Sequence, residues 1–366
     1  MGLLGLCYLL YHNDHLHISL IPQRDITTQP WATPSLPPTR AQPTPAPCVA
    51  NASVHNITDF DKLPGHVQDF LRYQHCRSFP ALLNVPDKCG GPEGSPNVIL
   101  LLAIKSSPAN YERREAIRRT WGQETSVEGA AVRRVFLIGV DPRAQEAKKL
   151  NQLLQLEQRE HRDVLQWNFK DTFFNLTLKQ VLFHTWLEQH CPGARFIFNG
   201  DDDVFVNTDN IIHFVRATPG AQEQQQHLMV GYLFVDNKPV RQRNSKYFVP
   251  KELLAEERYP PYCGGGGMLL SGFTARVIAR VSEDLRLFPI DDVYIGMCLE
   301  KAGLAPASHA GIQTTGLGVL ASTDSFDPCY YRELLLVHRF LPYEMVVMWE
   351  AIHEPQLFCG KSKSVF

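Results

Sequence analysis

Between Asn97 and Asp203 the chain alternates four strand-like runs with three stretches of helical period, and that order leaves few architectures open. "NVILLLAIKS", Asn97 to Ser106, is a continuous apolar run, too short to cross a bilayer and suited to a strand covered on both faces. "YERREAIRRTWG" follows with arginines and apolar residues at helical spacing, and Gly122 supplies a stop. "RRVFLIGV", Arg133 to Val140, reads as the next buried strand, then a charged amphipathic helix runs from about Arg143 to Arg162. "DVLQWNF", the helical "FFNLTLKQVLFHTWLEQH" and "ARFIFNGDDD" complete the series. Strands alternating with helices predict an α/β fold with a largely parallel sheet between helical layers, and ligands outside the carboxyl ends of the strands.

The rest of the 366 residues divides by composition. Residues 1–21 open with "MGLLGLCYLLY", eleven apolar-rich residues where a spanning helix needs about 20; no basic residue precedes them, so a signal-peptide core and a truncated or alternative membrane anchor both stay open. Residues 22–47 are rich in proline and threonine and read as an extended stem. Residues 48–96 hold three cysteines and the amphipathic "VQDFLRYQHC", a disulfide-pinned lead-in to a catalytic domain over 97–366. A formal charge of -2 gives no global reason to bind nucleic acid or an anionic membrane surface. Nine cysteines without a Cys-x-x-Cys pair argue against zinc. Together with sequons at Asn51, Asn56 and Asn175 they favour an oxidising secretory compartment, and with Cys7 set aside eight cysteines permit complete pairing.

"FIFNGDDDVFVNTDNII" places Asp201, Asp202 and Asp203 where a buried strand emerges from the core. Adjacent carboxylates repel, so a chain that keeps three at such a place usually supplies a cation. The alternating acids Asp201 and Asp203 offer oxygen ligands to one divalent ion. No "GxxxxGKS" cradles phosphate and no "GxGxxG" follows the first strand. A metal-dependent transferase with a nucleotide diphosphate as leaving group remains.

The motifs "IKSSPANYERREAIRRTWG", "FKDTFFNLTLK", "NGDDDVFVNTDNI", "YPPYCGGGGMLLS" and "FPIDDVYIGMCLEKAGL", in this order between about Asn97 and Arg339, resemble the β-1,3-glycosyltransferase family of galactosyl- and N-acetylglucosaminyltransferases. The stem, the lead-in cysteines and "DSFDPCYYRELLLVHRFLPYEM" are most similar to the N-acetylglucosaminyltransferase branch that extends core 1 O-glycans. The resemblance implies a GT-A fold, a uridine diphosphate sugar donor, manganese, inversion at the anomeric carbon, a galactose-terminated acceptor and a type II Golgi membrane protein with a lumenal catalytic domain.

For particular residues it implies that Asp201 to Asp203 form the DxD motif, with Asp201 and Asp203 on the metal, Asp203 the direct ligand and Asp202 beside the donor. His338 becomes a candidate third ligand, against the plain reading of a structural histidine. Asp292 would take the proton from the acceptor hydroxyl, while its neighbour Asp291 reads as a helix cap. Gly265 and Gly266, within the run Gly264 to Gly267, would lie beside the sugars, where glycine lets backbone approach closely. Arg114 and Arg118, one helical turn apart, would face the nucleotide, although any one arginine of that helix reads first as solvated surface. Asp171 and Lys179 would contact uridine or phosphate, whereas Phe173, Leu176, Trp121, Trp167 and Trp186 read as packing. A β-1,3-galactosyltransferase with the same motifs is the nearest rival, and a catalytically silent glycan-binding relative is the rival from another class.

Overall fold

The computed structural model describes residues 48–127, 129–218, 226–314 and 326–360. The expected stem and the apolar first residues lie outside them. Among the described residues, no helix is long and apolar enough to cross a membrane.

The strands, in chain order, are β1 (Ala81–Leu83), β2 (Val98–Lys105), β3 (Ser126–Val127), β4 (Ala130–Val140), β5 (Val164–Lys170), β6 (Phe196–Asp201), β7 (Val204–Val206), β8 (Met229–Phe234), β9 (Tyr262–Ser271), β10 (Ala307–Ser308), β11 (Ile312–Gln313) and β12 (Leu336–His338). Nine of them form one sheet in the order β1-β5-β4-β2-β6-β9-β8-β10, with β3 on the edge of β4. All eight residues of β2 are buried, and from Leu100 to Ile104, beyond a register shift at its start, they divide by parity between two cores. Leu101 and Ala103 pack into one apolar layer, Leu100, Leu102 and Ile104 into the other, as the two-residue period of a doubly covered strand requires.

The helices are α1 (Gly65–Tyr73), the single turn α2 (Gly91–Gly94), α3 (Tyr111–Arg119), α4 (Ala144–His161), α5 (Leu176–His190), α6 (Thr208–Ala217), α7 (Gly272–Glu283), α8 (Asp291–Lys301), the short α9 (Pro328–Arg332) and α10 (Pro342–Ile352). Thus the helices predicted in "YERREAIRRTWG", the charged segment and "FFNLTLKQVLFHTWLEQH" all form, the last with Phe173–Asn175 as a 3-10 turn ahead of α5. Asn207 caps α6 by accepting from the Asn210 backbone N–H at 3.1 Å. Trp121, Trp167 and Trp186 are buried in the cores.

The chain runs from β2 outward through β4 to β5, all parallel, then returns to place β6 parallel to β2 on its other side. A strand order that reverses in this way opens a crevice at the carboxyl ends of β2 and β6. Lys105 and Asp201 are backbone partners at those ends. The glycine run lies within β9, which pairs antiparallel with both β6 and β8. A three-stranded sheet completes the rim, with β12 antiparallel to β7 and His338 opposite Val204, one residue beyond Asp203.

Disulfides join Cys48 to Cys76, Cys89 to Cys191 and Cys329 to Cys359, while Cys263 and Cys298 are buried free thiols. The complete pairing that eight cysteines would permit is not realised, because β9 and α8 enclose two of them in the apolar core. The segment before Asn97 is tied to the end of α5 by Cys89–Cys191 and to the main sheet by β1, which pairs with β5.

Candidate active site

A cleft of about 300 Å³ opens at the crevice, and Asp201, Asp203, Asp291, Asp292 and His338 all line it with Lys105. Four parts of the fold deliver these groups: the ends of β2, β6 and β12, and the first turn of α8.

Lys105 sits at the centre of the acids. Its Nζ lies 3.1 Å from Asp201 Oδ1 and donates to Asp291 Oδ2 at 2.7 Å. Burial alone would lower this amine, but Asp201, Asp291 and Asp292 together hold it well above the ordinary lysine range. Asp291 is not the cap of α8, since Ile290 holds that position; Asp291 is the first helical residue and its carboxylate turns inward to the ammonium. Asp292 has no such direct partner. Burial, then the negative charge of Asp291, push its carboxyl up to about 8, with Lys105 and the Gly265 backbone N–H pulling the other way. A carboxylate poised near neutrality in a polar cleft is suited to accept a proton.

Asp202 is saturated by protein donors. Ser106 Oγ and Asn110 Nδ2 donate to its Oδ2 at 2.6 and 2.8 Å, and Arg113 Nη1 donates to Oδ1 at 3.0 Å. It borders the cleft, as expected of it, and also fixes the loop after β2 and the start of α3. Asp203 faces outward to the cleft, with Arg113 Nη1 at 3.3 Å, Arg339 Nε at 3.2 Å and His338 Nε2 at 3.5 Å. Burial would raise its carboxyl, but His338 and Arg113 hold it below the usual carboxylate range.

Two arginine expectations are overturned. Arg114 and Arg118 do face one partner, but it is Glu157 of α4, contacted at 2.7 and 2.9 Å, away from the cleft lining. Arg114 is fully buried and also donates to Ser106 Oγ at 3.0 Å and Ser107 O at 2.7 Å, so it supports the cleft floor from behind. Arg118 forks onto both oxygens of Asp163 at 2.9 and 2.8 Å. The arginine of α3 that reaches the cleft is Arg113, about 100° round the helix from Arg114.

Lys179 lines the cleft, but its Nζ is held by Asp171 at 2.9 and 3.0 Å and by Ser106 O at 2.7 Å. Asp171 accepts in addition from Gly139 N at 2.7 Å and does not line the cleft, so it positions Lys179 and is not placed to contact a nucleotide. Gly265 and Gly266 do line it, with φ of +82° and +105°. A Cβ on Gly265 would lie 2.2 Å from Thr314 Cβ, and one on Gly266 2.7 Å from Val204 Cγ1.

Sequence reasoning missed one wall entirely. Phe173 and Leu176, expected only to pack, line the cleft with Lys246 and Tyr247. The Phe173 and Tyr247 rings meet edge to face at 5.4 Å, and Lys246 Nζ lies 5.3 and 4.7 Å from their centroids. Lys105 was missed because a lysine at the end of an apolar run reads as strand terminus.

A family profile described as Galactosyltransferase matches residues 112–310, more than half of the chain. The chain belongs to the galactosyltransferase family. It is 52% identical over 353 residues to the human protein named N-acetyllactosaminide beta-1,3-N-acetylglucosaminyltransferase 3, covering 94% of this chain and 92% of that protein. Identity is also 52% to the human acetylgalactosaminyl-O-glycosyl-glycoprotein beta-1,3-N-acetylglucosaminyltransferase, over 94% of this chain and 89% of that one. It is 44% to the rat UDP-GlcNAc:betaGal beta-1,3-N-acetylglucosaminyltransferase 7, over 84% and 76%.

The expected metal set of this galactosyltransferase-family chain can be tested on its donors. Asp203 and His338 offer a carboxylate oxygen and an imidazole nitrogen 3.5 Å apart at the cleft wall, a pair that suits a divalent ion completing its shell with phosphate oxygens and water. Asp201 does not close a triad with them, since its Oδ1 is engaged by Lys105. Among the described residues the one trio gathered tightly enough for a metal is Cys48, His75 and Cys76, whose two sulfurs are already joined. The donors fit a cation shared with a diphosphate better than an all-protein cage.

Proposed function

We propose that this chain transfers N-acetylglucosamine from UDP-N-acetylglucosamine to the 3-hydroxyl of a terminal galactose with inversion, on acceptors that include core 1 O-glycans and poly-N-acetyllactosamine chains. The supporting observation is that Asp203 and Asp292, far apart in sequence, line one cleft, the former held charged and the latter poised to take a proton. Inversion needs a base on the face of the sugar opposite the leaving group. In one displacement the acceptor oxygen bonds to the anomeric carbon, its proton passes to Asp292, and the bond to the diphosphate breaks with its electron pair on UDP. Asp203 and His338 would hold manganese. Such an ion supplies positive charge to the departing diphosphate. Arg113, Lys179 and Arg339 add fixed positive charge along the cleft and orient the diphosphate end. The relatives' names support the choice of donor sugar and linkage, and the disulfides favour an oxidising lumen of the Golgi type.

Mass analysis of the product from a core 1 disaccharide, manganese and either UDP-N-acetylglucosamine or UDP-galactose tests this reading. One added N-acetylhexosamine is expected; an added hexose would make the chain a β-1,3-galactosyltransferase. No product with any galactose-terminated acceptor would leave a silent glycan-binding relative.

A further inference from the structure

We propose that the disulfide-clipped segment Cys48–Cys76 braces the active-site wall, with His66 and Phe248 acting as positioning residues for acceptor binding. This inference rests on the transferase reading above.

The wall is built from two segments distant in sequence, one carrying Phe173 and one carrying Tyr247. Neither segment at the wall is regular sheet or α-helix: Phe173–Asn175 is a single 3-10 turn, and Tyr247 lies in the long connection between β8 and β9. Loops of this kind need an external support to hold a fixed shape. The lead-in touches both. His66 of α1 stacks on Phe174, next to Phe173, with ring centroids 4.4 Å apart and planes 29° from parallel. Phe248, next to Tyr247, is buried in a small apolar core whose other buried members all come from the lead-in: Val54, Phe60, Leu63, Val67 and Leu71. Arg243 Nη1 donates to Lys62 O at 3.0 Å, a further link to the same connection. The Cys48–Cys76 bond and the Asn51 N–H to Arg72 O hydrogen bond (2.9 Å) close this small core on itself.

The wall belongs to the acceptor side. Asp292, which must touch the acceptor hydroxyl, lies by Gly264 and the Tyr262 ring, where an added Cβ would meet its Oδ2 at 3.0 Å and the ring at 3.2 Å. Phe173, Tyr247 and Asp292 line the same cleft. Aromatic faces pack against the C–H faces of sugars, so Phe173 and Tyr247 seat the acceptor sugar beside its base.

His66 is exposed, so His66→Ala should fold. The full chain as His66→Ala, His66→Phe and Cys48→Ser/Cys76→Ser variants would be compared with the parent by hydrogen exchange over residues 172–176 and 243–249. The same proteins would be assayed for acceptor KM, and for donor KM from hydrolysis of UDP-N-acetylglucosamine without acceptor. We expect faster exchange in both segments for His66→Ala and for the double serine variant. Acceptor KM should rise roughly three- to tenfold with donor KM unchanged, and His66→Phe should restore the parental values. Unchanged exchange in His66→Ala, faster exchange without a change in acceptor KM, or a donor KM that rises in step would each overturn the brace. A parent protein that transfers no sugar would overturn the functional reading instead, and the exchange data would then decide the brace by themselves.

Discussion

Lys105 and Asp201 end two neighbouring parallel strands opposite each other, with Lys105 Nζ 3.1 Å from Asp201 Oδ1. The first carboxylate of the acidic triplet is thereby bound to an ammonium before any cation arrives. The same ammonium reaches Asp291 and lies close enough to Asp292 to draw its carboxyl downward.

Asp292 must be deprotonated to accept a proton, so kcat/KM should rise with pH through a limb near 8 in the wild type, where burial and Asp291 place its carboxyl. Lys105→Met removes a charge that lowers this value. The limb should therefore move to higher pH, and a pH–rate profile with an unmoved limb would reject the coupling. The variant should also lose about 3 kcal/mol in urea unfolding, the low end for a broken buried pair because Asp201 opens on the cleft.

Asp292→Asn keeps the shape and removes the base. Turnover should fall by about 10²- to 10⁴-fold while isothermal titration with UDP-N-acetylglucosamine and manganese stays unchanged. Asp203→Ala should give the reverse pattern, with weakened metal-dependent donor binding. Near-normal turnover by the first variant, or unaltered affinity in the second, would remove that residue from its role.

Arg113 and Arg114 are adjacent in sequence and should separate cleanly in assays. Arg113 is partly open to the cleft, so Arg113→Ala should lower kcat/KM with little change in Tm. Arg114→Ala leaves the buried Glu157 carboxylate with Arg118 alone, takes a buried donor from Ser107 O, and should cost about 3 kcal/mol of stability. Equal losses of Tm in the two would contradict this division of labour.

Gly265→Ala should abolish transfer, because its φ of +82° and the 2.2 Å approach of the new Cβ to Thr314 act together. Gly303→Ala provides the control: φ is +69° but nothing lies within 4 Å, so it should cost only about 1–2 kcal/mol and spare activity. Thermal melts and a transfer assay check the difference.

Much of this arrangement was legible in order and period. The apolar run of β2 and the stop at Gly122 are local signals, and each produced its element. The strand formed by the glycine run was not legible, because β-propensity cannot show that a strand with almost no side chains is wanted where Asp292 and Thr314 press against it. Helical spacing correctly put Arg114 and Arg118 on one face but could not say that Glu157 of another helix waits there. The wall of Phe173 and Tyr247 was invisible for the same reason: its halves meet only through the tertiary fold.

Cys263 and Cys298 are fully enclosed, and burial pushes both thiols up to about 12. Neither is a competent nucleophile while the sheet and α8 stay packed. Alkylation of these two positions thus reads out how often the whole interior comes apart, turning a pair of chemically silent sulfurs into an internal counter of unfolding events.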